Sequence, residues 1–151
     1  MRVPGGADAV DVRKVDVRHD HPAGFYKLAS IPVSAASKGD VYSRARVRWL
    51  EAVRSIEFVR EALSTLPPGP VRAPLGNPRA DMVVTALVEG WRGEIAHVVS
   101  TDAQGRTSSY KVVDPSFHNW MGLAMALRGQ AISDFPLCNK SFNLSYCGHD
   151  L

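Results

Sequence analysis

Residues 110–151 read YKVVDPSFHNWMGLAMALRGQAISDFPLCNKSFNLSYCGHDL, and the fold turns on how this tail is divided. It begins as the end of a strand and turns at Asp114 and Pro115. It then continues as a helix that places Phe117, Trp120, Leu123, Ala124 and Leu127 on one side. Ser116 stands where a helix cap belongs, and Gly129 stands just past the helix end. Met121 and Met125, four apart, are read as core packing. From Asp134 onward the chain reads as an irregular apolar run. Cys138 and Cys147 are too far apart to form a close pair of metal ligands, and His149 does not complete a set.

Working back from the tail, residues 82–114 read as a three-stranded antiparallel meander. The strands are predicted at 82–89, 94–101 and 107–113, with a turn at Asp102, Ala103, Gln104 and Gly105. So few strands are marginal alone, so the meander is expected to pack on a helix. His97, on an apolar alternating strand, reads as a satisfied core histidine. That helix is predicted over residues 39–66. Asp40 is its N-cap, and Trp49, Val53, Ile56, Val59, Leu63 and Leu66 form one apolar stripe expected to face the core. Pro67, Pro68, Gly69 and Pro70 end it. Arg44, Arg46 and Arg48 crowd its first turns, where cations oppose the helix dipole. They are either solvated or directed at an acidic or cofactor-bearing neighbour.

Residues 1–38 are irregular, punctuated by Pro4, Gly5, Gly6, Pro22, Gly24 and Pro32. His19 and His21 would share one side of an extended strand, but no third ligand stands beside them, so they read as surface polar residues. The pattern is α+β: a long amphipathic helix and a second helix packed with a small antiparallel meander, with extended termini.

The chain has 151 residues, of which 45% are hydrophobic, enough to bury one core. A net charge of +3, spread along the chain, is not a nucleic-acid footprint. Two cysteines make no disulfide framework, which points to a reducing compartment. No apolar run is long enough to span a bilayer, and the first residues lack a signal-peptide core.

In order and spacing, several stretches resemble the large subunit of nickel–iron hydrogenases. They are DVRHDHPAGFY at 16–26, the long helix GDVYSRARVRWLEAVRSIEFVREAL at 39–63, the join EGWRGE at 89–94, and the tail. The resemblance is to the energy-converting, membrane-associated branch and its relative, the hydrogenase-like large subunit of respiratory NADH:quinone oxidoreductase. It implies that the chain is the C-terminal part of a longer subunit, split or cut from a missing N-terminal half. By this resemblance Arg92 matches an arginine that hangs over the metal centre, with Gly90 and Trp91 in place of Ala-Pro. The two tail positions that hold cysteine ligands in hydrogenases fall on Ser145 and Gly148.

Arg92, Ser145 and Gly148 are therefore expected to line one cavity, with no metal and no catalytic residue in the isolated chain. Trp91 and Tyr146 would fill the emptied volume or leave room for a quinone-like headgroup. The implied role is in a membrane-associated electron-transfer complex, without a nickel–iron centre and beside an iron–sulfur cluster carried by a neighbouring small subunit. The implied partners are the missing half, that small subunit and, through the complex, membrane subunits. The expected location is the cytoplasmic face of the membrane, held there peripherally, and a lone chain is expected to self-associate. Two alternatives stay open: half of a genuine nickel–iron hydrogenase, and a non-redox interaction or assembly module.

Overall fold

A computed structural model describes residues 15–150; residues 1–14, with the predicted breaks at Pro4, Gly5 and Gly6, and Leu151 lie outside the described residues. Along the chain come α1 (Val17–Asp20), a 3-10 turn (Gly24–Lys27), α2 (Val41–Ser64), β1 (Val83–Gly90), β2 (Gly93–Thr101) and β3 (Thr107–Val113). They are followed by α3 (Ser116–Ala126), a 3-10 turn (Ile132–Asp134), α4 (Phe135–Phe142) and α5 (Tyr146–His149). The class is α+β, as the pattern implies.

α2 starts where its capping chemistry places it. The Asp40 carboxylate accepts the Ser43 N–H at 2.7 Å, filling one of the donors that the first helical turn leaves open. The apolar stripe does not face the core of this chain. Trp49 is 64% exposed, Ile56 59% and Leu63 67%; the buried residues of α2 are Ser43, Arg44 and Val47. On α2, Phe58 packs against Phe25 and Tyr26, each ring 5.7 Å away. The helical periodicity is correct, but the surface that would cover the stripe is not supplied by the described residues.

The strands pair antiparallel in the order β1-β2-β3. β1 and β2 run in register from Val83 opposite Ser100 to Gly90 opposite Gly93. The second turn closes through Asp102, whose carboxylate accepts the N–H groups of Gln104 and Arg106, each at 2.9 Å. Gly105 is required there twice over. Its φ is +74°, and an added Cβ would stand 2.6 Å from the Pro78 carbonyl oxygen. The sheet does not lie broadly on α2. Its Trp91–Arg92 end meets α1 and the buried Pro115, while Val83, Val84 and Tyr110 at the other end are exposed. There His97 stacks on Tyr110 and shares a 2.6 Å hydrogen bond with its hydroxyl, half-buried and not in the core.

The core lies in the tail. Leu123, Cys138 and Phe142 form it, with Trp120, Ala126, Leu127 and Leu144 against them. Met121 and Met125 are exposed, as is Phe117, so the methionines do not pack the core. The run after Asp134 is not irregular. Pro136 sits in the first turn of α4, where a missing N–H has no partner to lose. Cys138, Ser141 and Phe142, spaced i, i+3, i+4, make its buried face. Ser116 does not cap α3. It is the first helical residue, and the Asp114 carboxylate takes its N–H at 2.7 Å. His19 and His21 flank the end of the short helix α1, not a strand, and His19 pairs with Asp20 at 3.0 Å.

Leu123→Ala, which opens a cavity in the tail core, should lower unfolding free energy by about 2–5 kcal/mol. The exposed-stripe pair Ile56→Gln and Leu63→Gln should change it by only about 0.5 kcal/mol each. The same pair should reduce self-association in sedimentation measurements, since exposed apolar patches drive it. Equal losses of stability would place the stripe inside.

Candidate functional site

The predicted site residues come from two loops and one short helix. Trp91 and Arg92 form the two-residue connection between β1 and β2. The Arg92 main-chain carbonyl accepts Asn119 Nδ2–H from α3 at 3.0 Å, and its side-chain Nε donates to the main-chain carbonyl of Asn143. Asn143 takes the left-handed conformation, φ 53°, that ends α4. Arg92 thus reaches the tail two residues before Ser145.

Ser145 is fixed at both of its polar groups. Its N–H donates to the fully buried Ser116 hydroxyl at 3.0 Å, and its Oγ accepts the Gly148 N–H at 3.0 Å, capping α5. Its Oγ also lies 3.3 Å from Cys147 Sγ, and this contact holds the exposed Cys147 thiol below its ordinary pKa. Gly148 packs on Asp114, and a Cβ there would come within 2.6 Å of the carboxyl carbon. Burial alone would raise the Asp114 pKa. The hydrogen bonds from Ser116, with Arg92 and His118 nearby, outweigh it and hold the group low.

Two expectations about bulk change. Trp91 is 56% exposed, and Tyr146 is exposed with its ring 5.1 Å from Trp120. Neither fills a sealed volume among the described residues. Trp120 Nε1 is buried there without a hydrogen-bond partner. A depression of about 250 Å³, lined by Met82, Val84 and Val99, lies at the opposite end of the hairpin from Arg92.

Of the two tail positions, Ser145 offers a hydroxyl that already accepts the Gly148 N–H, and Gly148 offers no side-chain donor. Nickel in such a centre is held by soft thiolates. Cys138, the buried thiol, belongs to the core, and Cys147 points to solvent. This donor set does not fit a nickel–iron centre.

The sequence reading missed a charged layer behind Arg92. Asp16, 3% exposed, takes both prongs of Arg18, Nε to Oδ1 at 2.8 Å and Nη2 to Oδ2 at 2.6 Å. The remaining Arg18 nitrogen donates to Ser55 on α2 at 3.3 Å. Glu89 accepts the Val17 N–H at 2.9 Å. Burial raises the pKa of Glu51 and Glu89. At Asp16 burial acts the same way, but the Arg18 hydrogen bonds outweigh it and the pKa falls. The visible signal was DVR followed 71 residues after Arg18 by Glu89, too long a separation for any local pattern.

The signs fix a pH dependence. Glu51 and Glu89, with folded pKa values above 4.5, contribute stability that is full below that value and lost as pH rises through the raised one. Asp16 and Asp114 contribute stability present above 3.8 and lost as pH falls through their lowered values. Unfolding free energy should therefore rise as pH falls through the raised glutamate values toward 4.5, and drop as pH falls below 3.8 through the lowered aspartate values. Glu89→Gln should flatten the limb above 4.5, measured by urea unfolding across pH. A steeper limb above 4.5 in that variant would contradict the assignment.

Similar proteins now bear on this geometry. Residues 12–82 and 75–150 match the family described as "Respiratory-chain NADH dehydrogenase, 49 Kd subunit". A carbon monoxide-induced hydrogenase of Rhodospirillum rubrum is 34% identical over 85% of this chain and 36% of its own length. NADH-quinone oxidoreductase subunit 4 of Thermus thermophilus is 27% identical over 89% of this chain and 39% of its own. A chain of the membrane-bound sulfane sulfur reductase, an archaeal respiratory membrane complex, superposes with a TM-score of 0.80 at 22% identity, covering 91% of this chain and 39% of that one; this likeness concerns the fold alone. The chain thus spans little more than a third of the length of these relatives. With the tail, the hairpin and the long helix all inside the matched residues, the chain belongs to the family of the 49 kDa subunit of respiratory-chain NADH dehydrogenase.

Proposed function

We propose that this chain is one part of a large subunit in a membrane-associated, hydrogenase-like electron-transfer complex of the NADH:quinone oxidoreductase type, and that its site carries no nickel–iron centre. The observation that carries the reading is Gly148. It offers no ligand atom, and Asp114 occupies the place where a ligand side chain would begin. On this reading the chain is not active by itself. Electrons come from an iron–sulfur cluster in a neighbouring small subunit, and the acceptor is a small molecule of the quinone class.

The exposed stripe of α2 supports the partner expected for such a part, the remainder of the large-subunit fold. Among the described residues no helix is long and apolar enough to cross a membrane, which is consistent with peripheral attachment through membrane subunits. A second reading, half of a nickel–iron hydrogenase, is favoured by the hydrogenase of Rhodospirillum rubrum at 34% identity.

Metal content separates the two. In the complex purified from its native cells through a tag on this chain, elemental analysis should find iron from clusters and less than about a tenth of a nickel per chain, because no thiolate pair is available at residues 145 and 148. About one nickel per chain would establish the hydrogenase reading instead.

A further inference from the structure

Three arginines from two distant parts of the chain converge on the end of α4. Arg44, 8% exposed, donates Nε–H to Ser141 Oγ at 2.9 Å and Nη1–H to the Gly39 carbonyl at 2.5 Å. Its guanidinium lies 4.3 Å from the Phe142 ring centroid. Arg48 donates through Nη1 to the Ser141 carbonyl and through Nη2 to the Phe142 carbonyl at 2.8 Å. Arg92 takes the next carbonyl, that of Asn143. Among the described residues none of the three is ion-paired with a carboxylate.

Three guanidiniums gathered at one place repel one another, and burial removes their water. Burial, then the neighbouring Arg44 and Arg92, lower the pKa of Arg48. What offsets this is a run of three consecutive main-chain carbonyls at a helix C-terminus. Those oxygens lack intrahelical partners and carry the negative end of the helix dipole. Trp91 adds a platform, with its ring centroid 5.9 Å from the Arg48 guanidinium carbon.

We infer that Arg48 and Arg92 are positioning residues: by gripping the carbonyls of Ser141, Phe142 and Asn143 they determine where residues 145–148 stand. Two residues of chain reach at most about 7 Å, so a fixed Asn143 confines Ser145 to the neighbourhood of Ser116. The Trp91–Arg92 connection and α2 are thereby locked to the tail through main-chain atoms. The grip uses no metal and does not depend on what fills the site.

Hydrogen exchange read by mass spectrometry on the full chain tests this. The Ser145 and Gly148 amides report directly, since each donates to a named hydroxyl. In Arg48→Ala and Arg92→Ala, amides of residues 143–149 should exchange about tenfold faster or more, as expected on losing a charged hydrogen bond. Amides of β2 should keep their rates, and the exposed Arg46→Ala should change nothing. The Cys138 thiol, buried on α4, should become faster to label in both alanine variants. Arg48→Lys keeps the charge but lacks the two-pronged reach, so it should give an intermediate rate. Exchange in 143–149 at the parent rate in both alanine variants would overturn the inference. So would a uniform rise across β2, α3 and the tail, which is loss of stability and not of positioning. Full restoration by Arg48→Lys would overturn the two-carbonyl geometry.

Discussion

The placement of the tail depends on how the carbonyl end of α4 is satisfied. A helix of eight residues leaves half its carbonyls without intrahelical partners. Here Arg48 and Arg92 supply the donors, and their own charges are met by the dipole of the helix they close. The core of Leu123, Cys138 and Phe142 then packs beside a closed end.

A second constraint works in the same direction. The Asp16–Arg18 pair ties the N-terminal segment to α2 through Ser55, and Glu89 receives the Val17 N–H from the same segment. A buried ion pair adds little net stability compared with apolar packing, but breaking one half of it is costly. Its effect here is on register: it fixes how α1, α2 and the start of the β1–β2 turn meet. Arg92 then projects from a turn held on both sides, by Glu89 before it and by Pro115 against Gly93 after it.

Much of this architecture was legible in the sequence because it is local. The Asp40 cap, the three strands, the Gly105 turn and the Gly129 stop each rest on residues within a few positions of one another. α4 was not legible, because Pro136 reads as a break until its place in the first turn is known. The α2 stripe had the right period, but periodicity cannot say which body covers a face. The three N-terminal arginines were visible as a conflict with the dipole. For Arg44 and Arg48 the resolution, nearly a hundred residues away at Ser141 and Phe142, lies beyond any pattern of spacing, while Arg46 is exposed. Of the site, Arg92 and Ser145 could be singled out only through resemblance. The partners that hold them, Asn119, Asn143 and Ser116, carry no signal of their own.

An exposed apolar helix, tail positions that offer no thiolate pair, and relatives more than twice as long support the proposed account, in which this chain completes a larger subunit. The most direct test is an experimental structure of the assembly purified through this chain. The account predicts a further large-subunit segment packed along Trp49, Ile56 and Leu63, with residues 92 and 145–148 facing a cavity toward an iron–sulfur subunit. An α2 stripe left facing solvent in that assembly, with residues 145–148 directed away from any redox subunit, would contradict it.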